Sequence, residues 1–183
     1  MAQFEKYEPI RRLDRERAAV TVREAEPRDV PALATLAADF GEDDLELHTR
    51  AFENELRQFA GTELDHLLVA EKSREVVGFA RARFLQVAED AEPDSAPEGY
   101  YLSGVVVAPA QRRMGIAKLL TERRIEWVAK RASKVFLVVN AANQASLALQ
   151  TQMGFRELSR ELRYPGLTTA PGMTVVQVLD LPA

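Results

Sequence analysis

Cysteine is absent from the whole 183-residue chain. Its absence excludes disulfides, thiolate zinc sites, iron–sulfur clusters and any acyl-cysteine intermediate. Histidine is nearly absent too: only His48 and His66 occur, so a histidine-built metal centre is excluded and no metal is expected. No apolar run approaches the roughly twenty residues that cross a bilayer. Met1 to Arg12 carries charges throughout and holds no apolar core of signal-peptide length. The expectation is a cytoplasmic protein with no membrane partner. Positive charge is not in excess either. The formal net charge is −4, which leaves no domain-wide basic footprint for nucleic acid. Chemistry must therefore run on hydroxyls, carboxylates, amides and backbone groups, or on a bound cosubstrate.

What is present describes a globular α/β domain of mixed sheet, large enough to bury a core without staples. Residues 1–18, with five basic and four acidic side chains, read as an N-terminal extension, and 19–183 as a single domain. A strand is expected at 19–23. A helix follows, opened by Glu26-Pro27-Arg28-Asp29, with Val30, Leu33, Ala34 and Ala37 at helical spacing, and closed by Gly41. A second helix from about Leu45 sets Leu45, Phe52, Leu56 and Phe59 on one face; His48 falls on that stripe as a packed histidine. Strands at 66–70 and 76–87 form a hairpin across Lys72-Ser73-Arg74. Residues 88–98 form an acidic loop. The strand at 100–107 ends in Val105-Val106-Val107, a run that predicts burial on both faces. A helix over 113–131 follows, with Ile116, Leu119, Leu120 and Trp127 on its apolar face and Arg123 snorkelling from it. Then come a buried strand at 135–139, a short helix over 143–153 and strands at 155–164 and 173–179. The strand–helix–strand unit over 100–139 requires a right-handed parallel crossover. The flanking hairpins make the rest of the sheet antiparallel.

The strongest chemical signal is Val107-Ala108-Pro109-Ala110-Gln111-Arg112-Arg113-Met114-Gly115-Ile116-Ala117. A strand stops and a short basic turn leads into a helix. Free backbone N–H groups and the positive helix end favour an anion there, and Gly115 lets the backbone approach it closely. The same residues also suit a plain helix start with a solvated basic face. The segment is neither a Walker A loop nor the dinucleotide G-x-G-x-x-G.

Arg112-x-x-Gly115-x-Ala117 resembles the acyl-CoA pyrophosphate loop (R/Q-x-x-G-x-G/A) of the GNAT N-acetyltransferase superfamily. A second segment, from Asn143 through Ser146 and Gln150 to Gly154-Phe155, is similar to that family's N-x-x-A-x-x-L-Y-x-x-x-G-F. The order of elements over 19–180 agrees with its fold. The resemblance implies a mixed, mostly antiparallel sheet flanked by about four helices. It also implies a parallel pair (about 100–107 and 135–139) splayed to hold acyl-CoA. The pantetheine arm of acetyl-CoA then lies along Val105, Val106 and Val107, and its pyrophosphate meets the amides of Arg113, Met114, Gly115, Ile116 and Ala117, aided by Arg112. Asn143, with Ser146 as the small residue after it, lies at the start of the next helix, where Asn143 caps it and reaches the arm.

Acetyl transfer to an amine then runs directly, through a ternary complex, with the Val106 or Val107 N–H at the oxyanion. Many relatives place a tyrosine where this chain has Gln150, which cannot act as a proton donor near neutral pH. Either Gln150 orients the thioester while water or substrate supplies the proton, or a hydroxyl of Tyr100, Tyr101 or Ser103 substitutes; Tyr101 is the favoured candidate. Two acidic clusters lie on the acceptor side by resemblance: Asp39, Glu42, Asp43, Asp44 and Glu46, and Glu89, Asp90, Glu92, Asp94 and Glu98. They would draw in a cationic amine, with Asp39, Asp43 and Ser103 as acceptor contacts. They also suit ordinary solvated loops. The strand Tyr101-Leu102-Ser103-Gly104-Val105 is similar to that of aminoglycoside N-acetyltransferases. The expected reaction is acetylation of a small cationic primary amine. The alternatives are a protein or peptide amine, or a catalytically silent acyl-CoA-binding module; a homodimer is also allowed.

Overall fold

The computed structural model describes residues 19–39, 44–167, 170 and 172–182. The N-terminal extension, Gly41, Glu42 and Asp43 lie outside the described residues. The elements follow the expected order. Strand β1 (Val20–Glu24) leads through a 3-10 turn (Pro27–Asp29) to helices α1 (Val30–Ala38) and α2 (Leu45–Phe59). Strands β2 (Asp65–Lys72), β3 (Glu75–Leu85) and β4 (Gly99–Val107) come next. After a second 3-10 turn (Pro109–Gln111), helix α3 (Ile116–Ala129) precedes β5 (Lys134–Asn140). Helix α4 (Gln144–Gln152), β6 (Arg156–Ser159) and β7 (Thr174–Asp180) complete the chain. The strands form one seven-stranded sheet in the order β1-β2-β3-β4-β5-β7-β6. Strands β4 and β5 are parallel, with Tyr101 opposite Phe136 and Leu102 opposite Leu137. The pairs β1–β2, β5–β7 and β6–β7 are antiparallel.

The contacts divide the chain into two compact units. One runs to Ala82 and takes up again over Gly104–Arg124; the other comprises Arg83–Ser103 and Ile125–Ala183. In the first unit, alternation along the strands builds two cores. Leu67, Val69 and Phe79 pack with Val30, Leu33, Ala34, Leu36 and Phe52 of α1 and α2. Leu68, Ala70, Val77 and Ala80 pack with Val107, Ile116 and Leu120 on the other side. Strict alternation would place Val77 and Phe79 on the same face, yet they lie in different cores. The parity shift falls at Gly78, the signature of an extra residue in the strand. In the second unit Tyr101, Phe136, Val176 and Val178 gather around Ala96, which anchors the acidic loop.

Several local expectations are corrected. Helix α3 begins at Ile116, not Arg113, because Arg113 and Gly115 both have positive φ, +64° and +77°. Its core face is Ile116, Leu120, Thr121, Arg124 and Val128, while Arg123 is exposed. Leu45 is 50% exposed, and Glu55 is buried on α2 beside Phe52. His48 is half-buried. Val105 and Val106 are half-buried and Gly104 is exposed; only Val107 of that run is fully covered. Strand β6 ends at Ser159, short of the expected Tyr164.

Candidate acyl-CoA and acceptor site

The first unit supplies the loop. Beyond Val107, the Ala108 N–H donates to the Val77 carbonyl at 2.9 Å and the Gln111 N–H to the Ala108 carbonyl at 2.8 Å. This crosses the chain over β3 and tightens it into the 3-10 turn. Arg112 is extended and its Nε donates to the Val107 carbonyl at 3.1 Å, so its side chain clamps the strand end. Left-handed residues at Arg113 and Gly115, separated by one residue, turn successive N–H groups toward one side, as in anion-binding nests. The Gly115 carbonyl accepts the Leu119 N–H at 3.0 Å. The first amides of α3 therefore have no partner within the helix and face the same kind of anion. Met114 and Ala117 are half-buried against the α3-side core and Ile116 is fully buried in it. Those three side chains anchor the loop to the core.

One cation at this loop escaped the sequence reading. Lys72, at the end of β2, donates from Nζ to Gln111 Oε1 at 3.1 Å and lies 4.0 Å from Met114 Sδ. The two residues are 39 apart in sequence, and only the β2–β3 hairpin brings them together. The strand leading into the loop has its own break. Gly104 has a φ of +52°, a conformation that glycine adopts without the cost a side chain would add. Val105 and Val106 are only half-buried although they lie in a central strand.

The second unit supplies α4. Asn143 caps it: Oδ1 accepts the Ser146 N–H at 3.0 Å. Gln150 Nε2 donates to Ser146 Oγ at 2.7 Å, one turn back. Gln150 Oε1 is buried and has no hydrogen-bond partner. A buried carbonyl oxygen left alone costs on the order of 1–3 kcal/mol. The Gly154-Phe155 end of the motif has a structural explanation. Gly154, with φ +89°, closes the helix, and the Phe155 N–H returns to the Gln150 carbonyl at 3.0 Å.

Tyr101 is placed differently from the other candidates. It is 1% exposed, stacked on Phe136 at 5.2 Å between ring centroids, and its hydroxyl donates to the Pro97 carbonyl at 2.8 Å. Burial first, then the neighbouring Tyr164, pushes its pKa above the ordinary phenol value. Ser103 is half-buried on β4. Asp39 is exposed at the end of α1, and Asp43 lies outside the described residues. Several of the acidic side chains have local employment. Asp44 caps α2 through the Leu47 N–H at 2.9 Å, and Glu46 pairs with Arg50. Glu98 accepts the Val87 N–H at 3.1 Å. Asp94 pairs with Arg163 at 2.6 Å, which holds its carboxyl below the usual range. Among the described residues, no group of three or more His, Cys, Asp or Glu side chains is arranged to hold a metal ion. Among them, too, no helix is long and apolar enough to cross a membrane.

The neighbourhood of Gly104 holds a second arrangement that sequence reading missed. Arg81 of β3 grips buried Glu55 of α2 through Nε at 2.6 Å and Nη2 at 3.0 Å. No local pattern announces a pair 26 residues apart; an acid on a helix and a base on a strand each look solvated in isolation.

Comparison with known proteins agrees with this geometry. A family model described as the acetyltransferase (GNAT) family matches residues 32–155. A GNAT-family acetyltransferase from Streptococcus pneumoniae is similar in structure, with a TM-score of 0.66 and 21% identity over 89% of this chain and 99% of that one. A ribosomal-protein-alanine N-acetyltransferase from Brucella melitensis has a TM-score of 0.63 and 26% identity, covering 88% and 99% of the two chains. The PaiA N-acetyltransferase from Thermoplasma acidophilum, solved in complex with coenzyme A, has a TM-score of 0.62 and 15% identity over 88% and 98%. No curated protein matches the sequence. The family match spans more than half of the chain, from within α1 to the Phe155 turn, and includes the nest at Arg113–Gly115 and the capped α4: this chain belongs to the GNAT family of acetyltransferases.

Proposed function

We propose that the protein transfers an acetyl group from acetyl-CoA to the primary amine of a small, cationic acceptor by direct attack. The observation that carries the donor half is the pair of left-handed residues Arg113 and Gly115 opening α3. Together with Lys72 and Arg112 they form a compact cationic cradle of amides suited to a pyrophosphate. The orphaned Gln150 Oε1 fits the same donor, because the pantetheine arm carries amide N–H groups that can satisfy a buried acceptor. Bound acetyl-CoA supplies an activated acetyl thioester.

The residues of this chain have the following proposed roles. Val105, Val106 and Val107 offer strand backbone to the arm, in the manner of strand addition. The Val106 or Val107 N–H stabilises the oxyanion. Asn143 holds the first turn of α4, and Ser146 fixes the rotamer of Gln150, which orients the arm. A phenol whose hydroxyl is already donated and whose pKa is raised is a poor acid, so Tyr101 serves to pack β4. The amine attacks in its neutral form, and the leaving thiolate takes its proton from water or from the acceptor nitrogen once the C–N bond has formed. For the acceptor, Asp39, Asp43 and Ser103 are the proposed contacts, and the carboxylates without local employment, such as Glu89 and Asp90, supply steering. A peptide amine is the second reading, favoured by the likeness to the Brucella enzyme.

Thiol release from acetyl-CoA, assayed against a panel of small amines and a panel of peptides with free N-termini, tests both. Turnover with small cationic amines and none with peptides is expected. The reverse pattern selects the second reading, and acetyl-CoA binding without release from either panel identifies a silent binding module.

A further inference from the structure

The Arg81–Glu55 pair has features that fold stability alone does not call for. Glu55 is 6% exposed and engages the guanidinium side-on through both carboxylate oxygens. The rings of Phe52 and Phe79 lie 4.8 and 4.9 Å from Arg81 Cζ and pack edge to face against each other. The guanidinium is therefore fixed by two hydrogen bonds and two aromatic faces, a costly arrangement for a charged group at the margin of a core. Its Nε and Nη2 are directed at Glu55. Nη1 is directed elsewhere: a Cβ built on Gly104 would lie 3.1 Å from it. Gly104 is exposed, has left-handed backbone and immediately precedes the half-open Val105–Val106 stretch. A glycine at this position leaves the Nη1 edge of Arg81 uncovered where β4 is open.

We propose that Arg81 is the specificity-determining residue on the acceptor side, donating from Nη1 to an oxygen, amide carbonyl or carboxylate, of the molecule whose amine is acetylated. The inference rests on the acetyltransferase reading above and narrows the acceptor to amines that carry such an oxygen nearby. Glu55 and the two rings are positioning groups: they hold the fork so that little side-chain entropy is lost on binding. Arg81 takes no part in the transfer itself.

The test is calorimetric titration of the CoA-saturated protein with three matched amines: alaninamide, alanine and the oxygen-free isostere 3-methylbutan-2-amine. A charge-assisted hydrogen bond from a held guanidinium predicts binding of an oxygen-bearing amine about tenfold tighter than the isostere. The stronger of alaninamide and alanine tells carbonyl from carboxylate. Arg81→Met combined with Glu55→Gln removes the donor without stranding a buried charge. It should abolish the preference and raise the KM for the favoured amine about tenfold, with kcat and acetyl-CoA affinity within about threefold of wild type. Arg81→Lys, which keeps the charge but not the fork, should retain only part of the preference and serves where the double variant does not fold. Equal binding of all three amines, no heat from any, or an undiminished preference in the variants overturns the proposal. Failure of acetyl-CoA itself to bind overturns the acetyltransferase reading along with it.

Discussion

Arg124 is the largest side chain in the fully buried set, at 1% exposure. It occupies a helix position that a leucine would ordinarily take. Its Nη1 donates to the Arg81 carbonyl at 2.8 Å, its Nη2 to Thr121 Oγ1 at 3.0 Å and its Nε to the Leu120 carbonyl at 3.3 Å. Burial pushes its pKa down, but the guanidinium remains charged at neutral pH. Arg124→Ala combines a large cavity with stranded acceptors and should cost about 3–4 kcal/mol, read from urea unfolding. A loss below about 1 kcal/mol would mean that the interior is solvated there. Asp29 is a second residue whose environment fixes a measurable property. The Arg23 hydrogen bond, at 2.7 Å, and the Glu26 N–H hold its carboxyl below the usual range despite burial. A depressed carboxylate pKa stabilises the fold fully above the unfolded value near 3.8, and that contribution disappears as pH falls through the folded value. Unfolding midpoints of the wild type should therefore drop, as pH falls below the unfolded value near 3.8, more steeply than those of Asp29→Asn. Parallel curves would refute the assignment.

Elements show where sequence reading succeeds and where it stops. The order of strands and helices was legible because apolar periodicity and turn residues act locally. Asn143 as a helix cap and Gly154 as a helix end were legible for the same reason. The phase of α3 was not. By pattern Ile116, Leu119, Leu120 and Trp127 share a face interrupted by Arg123, whereas the buried face carries Arg124, and a buried arginine runs against composition rules. The start of α3 is not legible either, because left-handed backbone at Arg113 leaves no mark in a residue type that rarely adopts it. The Lys72–Gln111 and Arg81–Glu55 contacts depend on strand register across the sheet. Gly78 belongs to this group too. A Cβ there would meet the Val106 carbonyl oxygen at 2.8 Å, and backbone cannot move aside as a flexible side chain can. Gly78→Ala should cost about 1–3 kcal/mol and, by displacing Val106, weaken acetyl-CoA binding as well. A destabilised variant with unchanged acetyl-CoA affinity would separate Val106 from the binding strand. The β2–β3 hairpin offers the opposite case. Ser73 and Arg74 both sit in left-handed backbone, φ +53° and +69°, and both are exposed. Replacing them with Asn and Gly, which favour such turns, should stabilise the protein by about 1 kcal/mol.

At the scale of the molecule, donor binding is set against net charge. On the proposed function, a chain of formal charge −4 has to attract a polyanionic cosubstrate, and the local field of Lys72, Arg112 and Arg113 is what would outweigh the global one. That local field is screened by salt over a Debye length of about 8–10 Å under ordinary conditions. Acetyl-CoA should therefore stabilise the folded chain by an amount that grows with the logarithm of its concentration over Kd, and lose part of that effect as salt rises. At a hundredfold excess over Kd the linkage is about 2.7 kcal/mol. For a chain of 183 residues this corresponds to roughly 5–10 °C in Tm. Gly115→Val places a branched side chain at φ +77° in the middle of the amide cradle. It should abolish the shift while leaving the far-ultraviolet circular dichroism of the unliganded protein intact. 3′-Phosphoadenosine 5′-diphosphate, which keeps the pyrophosphate and lacks the pantetheine arm, separates phosphate recognition from arm recognition. A shift from this nucleotide that vanishes in Gly115→Val but persists in Gln150→Ala assigns phosphate recognition to the loop and arm recognition to α4. An acetyl-CoA shift that survives in Gly115→Val would place the anion elsewhere on the molecule.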